Sequence, residues 1–298
     1  MAILIDEKTT VLVQGITGRT GEMATRLMVE YGTKVIAGVT PGHGDEQVWS
    51  VPVYNTVKEA VKEHGLMDMS ATFVPAPLVK SAVIEALDAG IKTIVMPVER
   101  VPLHDILEVV ARAKETGARI IGPGSLGIIS PGKALCGWIG GAKEFAEEAF
   151  KPGCVGVISR SGGQTSTIPW IICKEGLGIS TAVHTGTEVI LGTTAAEYLE
   201  LYEKDNETDA VVMFGEIGGI MESEVAEIIK EGKYTKPFVI YIAGRTLPSG
   251  IRFSHASAIV QRGRDTVESK EKALQEAGAY VVSKPQELAQ TVAKILKR

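Results

Sequence analysis

Short apolar, β-rich runs alternate along the chain with longer stretches whose apolar residues recur at helical spacing. Residues 11–14, 34–39, 69–73, 93–97 and 119–121 read as buried strands. Between them, residues 22–31, 57–64, 78–89 and 104–116 carry the period of amphipathic helices. Strand alternating with helix predicts a parallel sheet with helices on both faces. Residues 130–153 break the rhythm, because Pro131-Gly132, Gly140-Gly141 and Pro152-Gly153 are turn punctuation. The alternation then resumes, with predicted strands at 154–159, 179–183, 210–214, 237–242 and 280–282. Predicted helices follow at 165–175, 193–204, 222–231, 266–277 and 285–296. The expected organisation is a first α/β domain over residues 1–130, a linker region over 131–153 and a second α/β domain over 154–298. Neither domain repeats the sequence of the other. Ligands of open parallel sheets bind beyond the carboxyl ends of the strands, so chemistry is expected in the loops that follow them.

Composition narrows the classes of function. The chain has 298 residues, a length that suits two domains of about 100–200 residues each. Its net charge of −5 is spread without a basic block and only 5 % of residues are aromatic, so nucleic acid is not an expected partner. Three cysteines, Cys136, Cys154 and Cys173, form no C-x-x-C pair; neither a disulfide framework nor a metal site is expected. No apolar run approaches the ~18 residues of a membrane span, and the N-terminal run is too short for a signal peptide. The expectation is a cytoplasmic protein with no membrane partner.

The first predicted strand runs straight into Gly15-Ile-Thr-Gly18-Arg-Thr-Gly21 and then a helix. Glycines let the backbone turn sharply and approach a phosphate, and the helix start offers free N–H groups. A glycine turn without a ligand is the plainer alternative. The spacing is G-x-x-G-x-x-G rather than the dinucleotide G-x-G-x-x-G. An NAD site also calls for an acid at the end of the second strand. Here that strand leads into Thr40-Pro41-Gly42-His43-Gly44, with Asp45 already past the turn. A nucleotide held mainly by its phosphates, with a tail leading elsewhere, fits better; coenzyme A is such a ligand. Two stiff, proline-containing loops, Val74-Pro75-Ala76-Pro77 and Gly122-Pro123-Gly124-Ser125-Leu126-Gly127, also follow strand ends. They would pre-organise a pocket at low entropic cost, or simply terminate strands.

Three features of the second half combine. Ser159-Arg160-Ser161-Gly162-Gly163-Gln164 leaves a strand and opens a helix, the makings of an anion nest. Glu216 sits between glycines just past an apolar strand. His255 lies among small residues in Ser254-His255-Ala256-Ser257. Of the other histidines, His64 and His104 fall on helix surfaces, while His43 and His184 lie near strand ends without an evident partner. A phosphoryl group carried on imidazole needs a neutral ring nitrogen, a carboxylate on the other nitrogen and helix starts to hold the dianion. His255, Glu216 and the 159–164 nest would supply these parts.

With these residues in view, the chain resembles the α subunits of succinyl-CoA synthetases from end to end, and the corresponding region of ATP-citrate lyase. The resemblance rests on VLVQGITG, YGTKVIAGVTPG, FVPAP, DAGIKTI, IIGP, VGVISRSGG, FGEIGG, TKPFVIYIAG and the HASAI stretch, in order along nearly the whole chain. It implies an N-terminal Rossmann-like CoA-binding domain followed by a flavodoxin-like ligase domain that carries a phosphohistidine. It implies an NDP-forming acid–CoA ligase, most simply for succinate. Phosphate would pass from ATP or GTP to His255, then to a small carboxylic acid, and CoA would displace it. An ATP-grasp β subunit would hold the nucleotide and its Mg2+. By residue match, Glu216 would be the partner of His255. Ser159, Ser161, Gly162 and Gly163 would bind phosphate. Gly15, Thr17, Gly18, Arg19 and Thr20 would hold the CoA phosphates, with Pro41, His43, Val74, Pro75 and Glu99 as further CoA contacts.

The chain departs from the family pattern in several loops. The usual G-H-A-G is Ser254-His255-Ala256-Ser257, G-P-N-C-P-G is Gly122-Pro123-Gly124-Ser125-Leu126-Gly127, and the lysine of T-P-G-K is His43. The usual S-R-S-G-T continues here as SRSGG, and G-I-G-G-D is His184-Thr185-Gly186-Thr187-Glu188. His255 and Glu216 are untouched, whereas loops near CoA and the acid are altered. Related acids such as malate or citrate are therefore alternatives to succinate, and a non-catalytic CoA-binding paralog is a second reading. A nicotinamide dehydrogenase is a third, resting only on the first domain.

Overall fold

The computed structural model describes residues 2–245 and 266–297. The first sheet grows from β1 (Thr10–Gln14), α1 (Arg19–Tyr31) and β2 (Lys34–Val39). It continues through β3 (Gln47–Val48), β4 (Val51–Tyr54), α2 (Val57–His64), β5 (Met69–Thr72) and α3 (Val79–Asp88). It closes with β6 (Thr93–Val95), α4 (Leu103–Thr116) and β7 (Arg119–Ile121). Strand order is β3-β4-β2-β1-β5-β6-β7. All pairs are parallel except the β3–β4 ribbon at the edge. Without β3 this is the doubly wound order of dinucleotide-binding folds, whose crevice opens between β1 and β5. The central strands are apolar on both faces, as buried parallel strands must be: Val11, Leu12 and Val13 are fully enclosed. α1 turns Ala24, Leu27 and Met28 inward and ends on Gly32 in the left-handed conformation.

The second sheet contains β8 (Gly127–Ser130), β9 (Ala134–Gly137), β10 (Pro152–Ser159), β11 (Ile179–His184), β12 (Ala210–Glu216), β13 (Phe238–Ala243) and β14 (Tyr280–Val282). Its order is β14-β13-β12-β10-β11-β8-β9. The five strands from β10 onward are parallel and follow the flavodoxin-like order, with the switch point between β10 and β12. Around them pack α5 (Lys143–Ala149), α6 (Gln164–Lys174), α7 (Ala195–Lys204), α8 (Met221–Lys230), α9 (Val267–Glu276) and α10 (Gln286–Leu296). α7 opens on a capping box between Thr194 and Glu197. Among the described residues no helix is long and apolar enough to cross a membrane.

The segment expected as a linker over residues 131–153 is not one. Pro131-Gly132 is the turn of the β8–β9 hairpin, which adds antiparallel to β11 and extends the second sheet from Gly127. Its apolar four-residue arms are wholly buried, and α5 covers the next stretch. Turn residues between two short apolar runs mark a hairpin as readily as a boundary. The β3–β4 ribbon escapes the sequence pattern for a different reason. Its connection, Trp49-Ser50, takes positive φ at both residues without glycine, asparagine or aspartate.

Cys136 lies in the middle of β9, and burial pushes its thiol from 9.0 up to about 12. Between those values the unfolded thiol ionises while the folded one stays protonated, so the unfolded state gives up its proton first. Stability is therefore expected to fall as pH rises above about 9. At pH 8 a thiol reagent should leave Cys136 unmodified in the folded chain and modify it in denaturant. Peptide mass spectrometry checks this.

Candidate functional site

The crevice of the first sheet opens onto a cavity of about 800 Å³ that the second half closes from the other side. From the first half it is lined by Gly18, Arg19 and Thr20 at the start of α1, by Phe73–Ala76 after β5, and by Pro97, Val98 and Glu99 after β6. The second wall comes from Gly124, Ser125, Leu126, Trp138, Gly162, His184 and Thr187. Thus Gly18, Arg19, Thr20, Val74, Pro75, Glu99 and Gly162, all singled out from the sequence, meet at one site. Gly15 and Thr17 stand just before it. Gly15 has φ +75°, and a Cβ there would lie 2.3 Å from the Phe73 carbonyl oxygen, so this turn requires glycine. A Cβ on Gly21 would meet the Gly15 carbonyl at 2.2 Å, which is why α1 can approach the strand so closely. The helix start with free N–H groups beside a roomy, largely apolar cavity fits a ligand with a phosphate end and a long thin tail.

Pro41 and His43 do not line the cavity. They lie on the loop after β2, where Nδ1 of His43 is 2.9 Å from Oε1 of Glu46. Two lining residues, Val98 and Trp138, lie in no stretch that the sequence singled out. Phe73 and Trp138 meet edge to face at 6.4 Å between centroids, and Trp138 follows the hairpin that pattern reading passed over. The two halves are also bonded directly. The Arg100 N–H donates to Oε1 of Glu188 at 2.6 Å, and the Gly192 N–H to the Gly122 carbonyl at 2.9 Å. Gly124 and Gly186 leave no room at this seam: added Cβ atoms would sit 2.3 Å from Thr187 Oγ1 and 2.2 Å from the Pro123 carbonyl.

The second constellation sits at the switch point of the second sheet. Ser159 ends β10, and its hydroxyl accepts from the Ser161 N–H at 3.1 Å and donates to the Ser161 carbonyl at 2.8 Å. This fixes the 159–163 turn ahead of α6. Glu216, the last residue of β12, is register-paired with Ala243. Its Oε1 accepts from Arg160 Nε and Nη2 at 3.3 and 3.1 Å. Its own N–H donates to Oε1 of Glu222 at 3.1 Å. Behind it, the ammonium of Lys270 donates to the carbonyls of Glu216 and Gly218 at 3.0 and 2.7 Å and to Oε2 of Glu222 at 2.5 Å. Lys270 and Glu222 are 0 % and 1 % exposed, and no sequence motif singled out either. Arg160 also borders a second recess with Gly218, Gly219, Met221 and Glu224. Burial, and then the charges of Glu227, Glu197 and Glu222, push the Glu224 carboxyl above the usual range, so this rim loses negative charge early as pH falls. His255, the expected phosphate carrier, lies outside the described residues.

Comparison with known proteins decides what the two switch points belong to. A CoA binding domain family matches residues 6–99, and a CoA-ligase family matches residues 158–280. The chain is 51 % identical over 296 residues to the succinate–CoA ligase [ADP-forming] subunit alpha 2 of Archaeoglobus fulgidus, spanning 99 % of this chain and 100 % of that one. The chain belongs to the acid–CoA ligase α-subunit family. It is also 42 % identical to an ADP-forming sulfoacetate–CoA ligase subunit of Acholeplasma sp, over 99 % of this chain and 98 % of that one. Among solved structures it is similar to ATP citrate lyase from Methanothrix soehngenii in complex with citrate and coenzyme A, with a TM-score of 0.90 and 26 % identity. That likeness covers 99 % of this chain and 51 % of the lyase chain, so the ligase α subunit spans about half its length. As a member of this family the chain is a CoA-binding acid–CoA ligase subunit that works with a partner subunit.

Proposed function

We propose that this α subunit carries phosphate on His255 between a nucleotide and a small carboxylic acid, with succinate as the first candidate acid. One observation supports this above the rest. The helix start of the CoA-binding half and Gly162 of the 159–163 turn line one cavity, which gives a CoA tail anchored at the first a path toward a phosphoryl group held at the second. Gly15, Thr17, Gly18, Arg19 and Thr20 form the loop that holds the CoA phosphates, through the N–H groups of Arg19 and Thr20 in the first turn of α1 and the Arg19 charge. Val74, Pro75 and Glu99 line the path of the tail. Pro41 and His43 serve the outer end of the ligand, and His43 does so by exchanging its contact with Glu46. Ser159, Ser161, Gly162 and Gly163 bind the phosphoryl group before α6. Glu216 orients the imidazole of His255 and balances its charge when it is phosphorylated. An ATP-grasp β subunit supplies ATP or GTP with Mg2+. The cytoplasm is the compartment where such substrates meet.

Full-length identity of 51 % to a succinate–CoA ligase α subunit supports succinate. A sulfoacetate–CoA ligase subunit at 42 % shows how nearby in sequence other acids lie. The test is turnover by the chain assembled with an ATP-grasp β subunit, MgATP and CoA, across succinate, malate, citrate and sulfoacetate. One equivalent of ADP should accompany loading of His255, continued ADP release should require CoA together with one acid, and succinate should give the highest kcat/KM. CoA binding without ADP release for any acid would favour a non-catalytic subunit instead.

A further inference from the structure

His184 is the last residue of β11 and is 1 % exposed, unlike His43, whose side chain is half-exposed, and His104 on the surface of α4. Both ring nitrogens meet backbone. Nδ1 accepts from the Leu126 N–H at 2.8 Å, and Nε2 is 3.2 Å from the Arg160 carbonyl. A backbone N–H can only donate and a carbonyl can only accept, so Nδ1 is bare and Nε2 carries the proton. The residue's own carbonyl accepts from the Ser125 hydroxyl, which in turn accepts from the Gly127 N–H at 2.9 Å. A Cβ placed on Gly162 would lie 3.7 Å from His184 Cε1 and 3.3 Å from Leu126 Cδ1, so the ring is seated beneath the 159–163 turn. One rigid neutral ring therefore spans two loops, residues 122–127 on the CoA side and residues 160–163 on the phosphate side, and it lines the cavity between them.

The two loops differ in what they need from it. The phosphate turn has its own anchors: Ser159 Oγ clamps Ser161, and the Arg160 N–H donates to the Phe214 carbonyl at 3.0 Å. What His184 adds is the spacing between that turn and the opposite loop. We propose that His184 is a positioning residue that sets this spacing for discharge of the acyl phosphate to CoA, but not for loading of phosphate. The inference rests on the function proposed above. In the discharge step a C–S bond forms to the thiol, the C–O bond to the phosphate breaks, and phosphate leaves with the thiol proton. Both loops must be in register for that displacement. Of the two loops, loading from the nucleotide uses only the phosphate turn.

The test uses the assembled holoenzyme and follows the two half-reactions separately. With His184→Ala, loading of phosphate from labelled ATP should stay within about threefold of the unaltered enzyme, while discharge by CoA and acid slows about 10- to 100-fold. His184→Asn, whose side-chain oxygen can still accept from Leu126, should recover part of the discharge rate, and it carries the comparison if the alanine variant does not fold. Equal loss in both half-reactions, or no loss in discharge, would overturn the positioning role. Failure of the unaltered enzyme to load phosphate would instead count against the proposed function and leave its own distinct signature.

Discussion

A Glu216→Gln variant, assembled with the partner subunit and given ATP, should load phosphate about 10²–10⁴ times more slowly than the unaltered chain. The amide keeps the size of the side chain and can still accept from the Arg160 guanidinium, 3.1 Å away. What it lacks is the negative charge that favours a cationic, phosphorylated imidazole. The factor corresponds to about 3–5 kcal/mol of lost transition-state stabilisation. Backbone placement at Glu216 depends on Glu222 and Lys270, which the substitution leaves alone. The buried Arg160 guanidinium keeps its hydrogen bond but loses the charge of this partner, so the melting temperature should fall somewhat, while the loading rate collapses. Rapid-quench measurement of labelled phosphoenzyme, beside a thermal melt of the same sample, separates the two. Loading at the unaltered rate would remove Glu216 from the proposed chemistry.

Lys270→Met should cost about 3–5 kcal/mol of stability, because it strands a buried carboxylate. Glu222 is almost wholly enclosed and would lose its cation, and the carbonyls of Glu216 and Gly218 would lose their donor. Gly215 contributes here as well: a Cβ on it would lie 2.7 Å from Glu222 Oε1, so glycine makes the space the carboxylate occupies. Removing both charges together is expected to cost less than the sum of the single changes, since no charge is then left unpaired. Urea denaturation of Lys270→Met, Glu222→Leu and the double variant measures the coupling. Additive losses would mean that the pair does not act as a unit.

Much of this architecture was legible in the sequence, for identifiable reasons. The parallel strands are buried on both faces, so β1, β2 and β10 to β13 stand out as short apolar runs bounded by turns. The glycine loop after β1 and Glu216 could be placed at strand ends, where ligands of such sheets bind. What pattern reading passed over depends on contacts between distant segments. The β8–β9 hairpin became a linker because its turn residues outweighed its short apolar arms. His184 had no evident partner, since Leu126 and Arg160 approach it only when the two halves fold together. Lys270 and Glu222 stand at ordinary helical positions outside any motif, and the packing of α8 and α9 behind β12 is what buries them. The family resemblance named the ligase correctly, yet it could not show that Pro41 and His43 stand away from the cavity.

The central claim is that phosphate rides on His255, and it is tested most directly by locating the label. The chain, assembled with an ATP-grasp β subunit, is incubated with γ-labelled ATP and Mg2+, digested under alkaline conditions that preserve phosphohistidine, and mapped by mass spectrometry. The account predicts acid-labile label on the peptide containing His255, discharged on adding CoA and succinate, and none in His255→Asn. Label that persists in His255→Asn, or that resides on another residue, would contradict it.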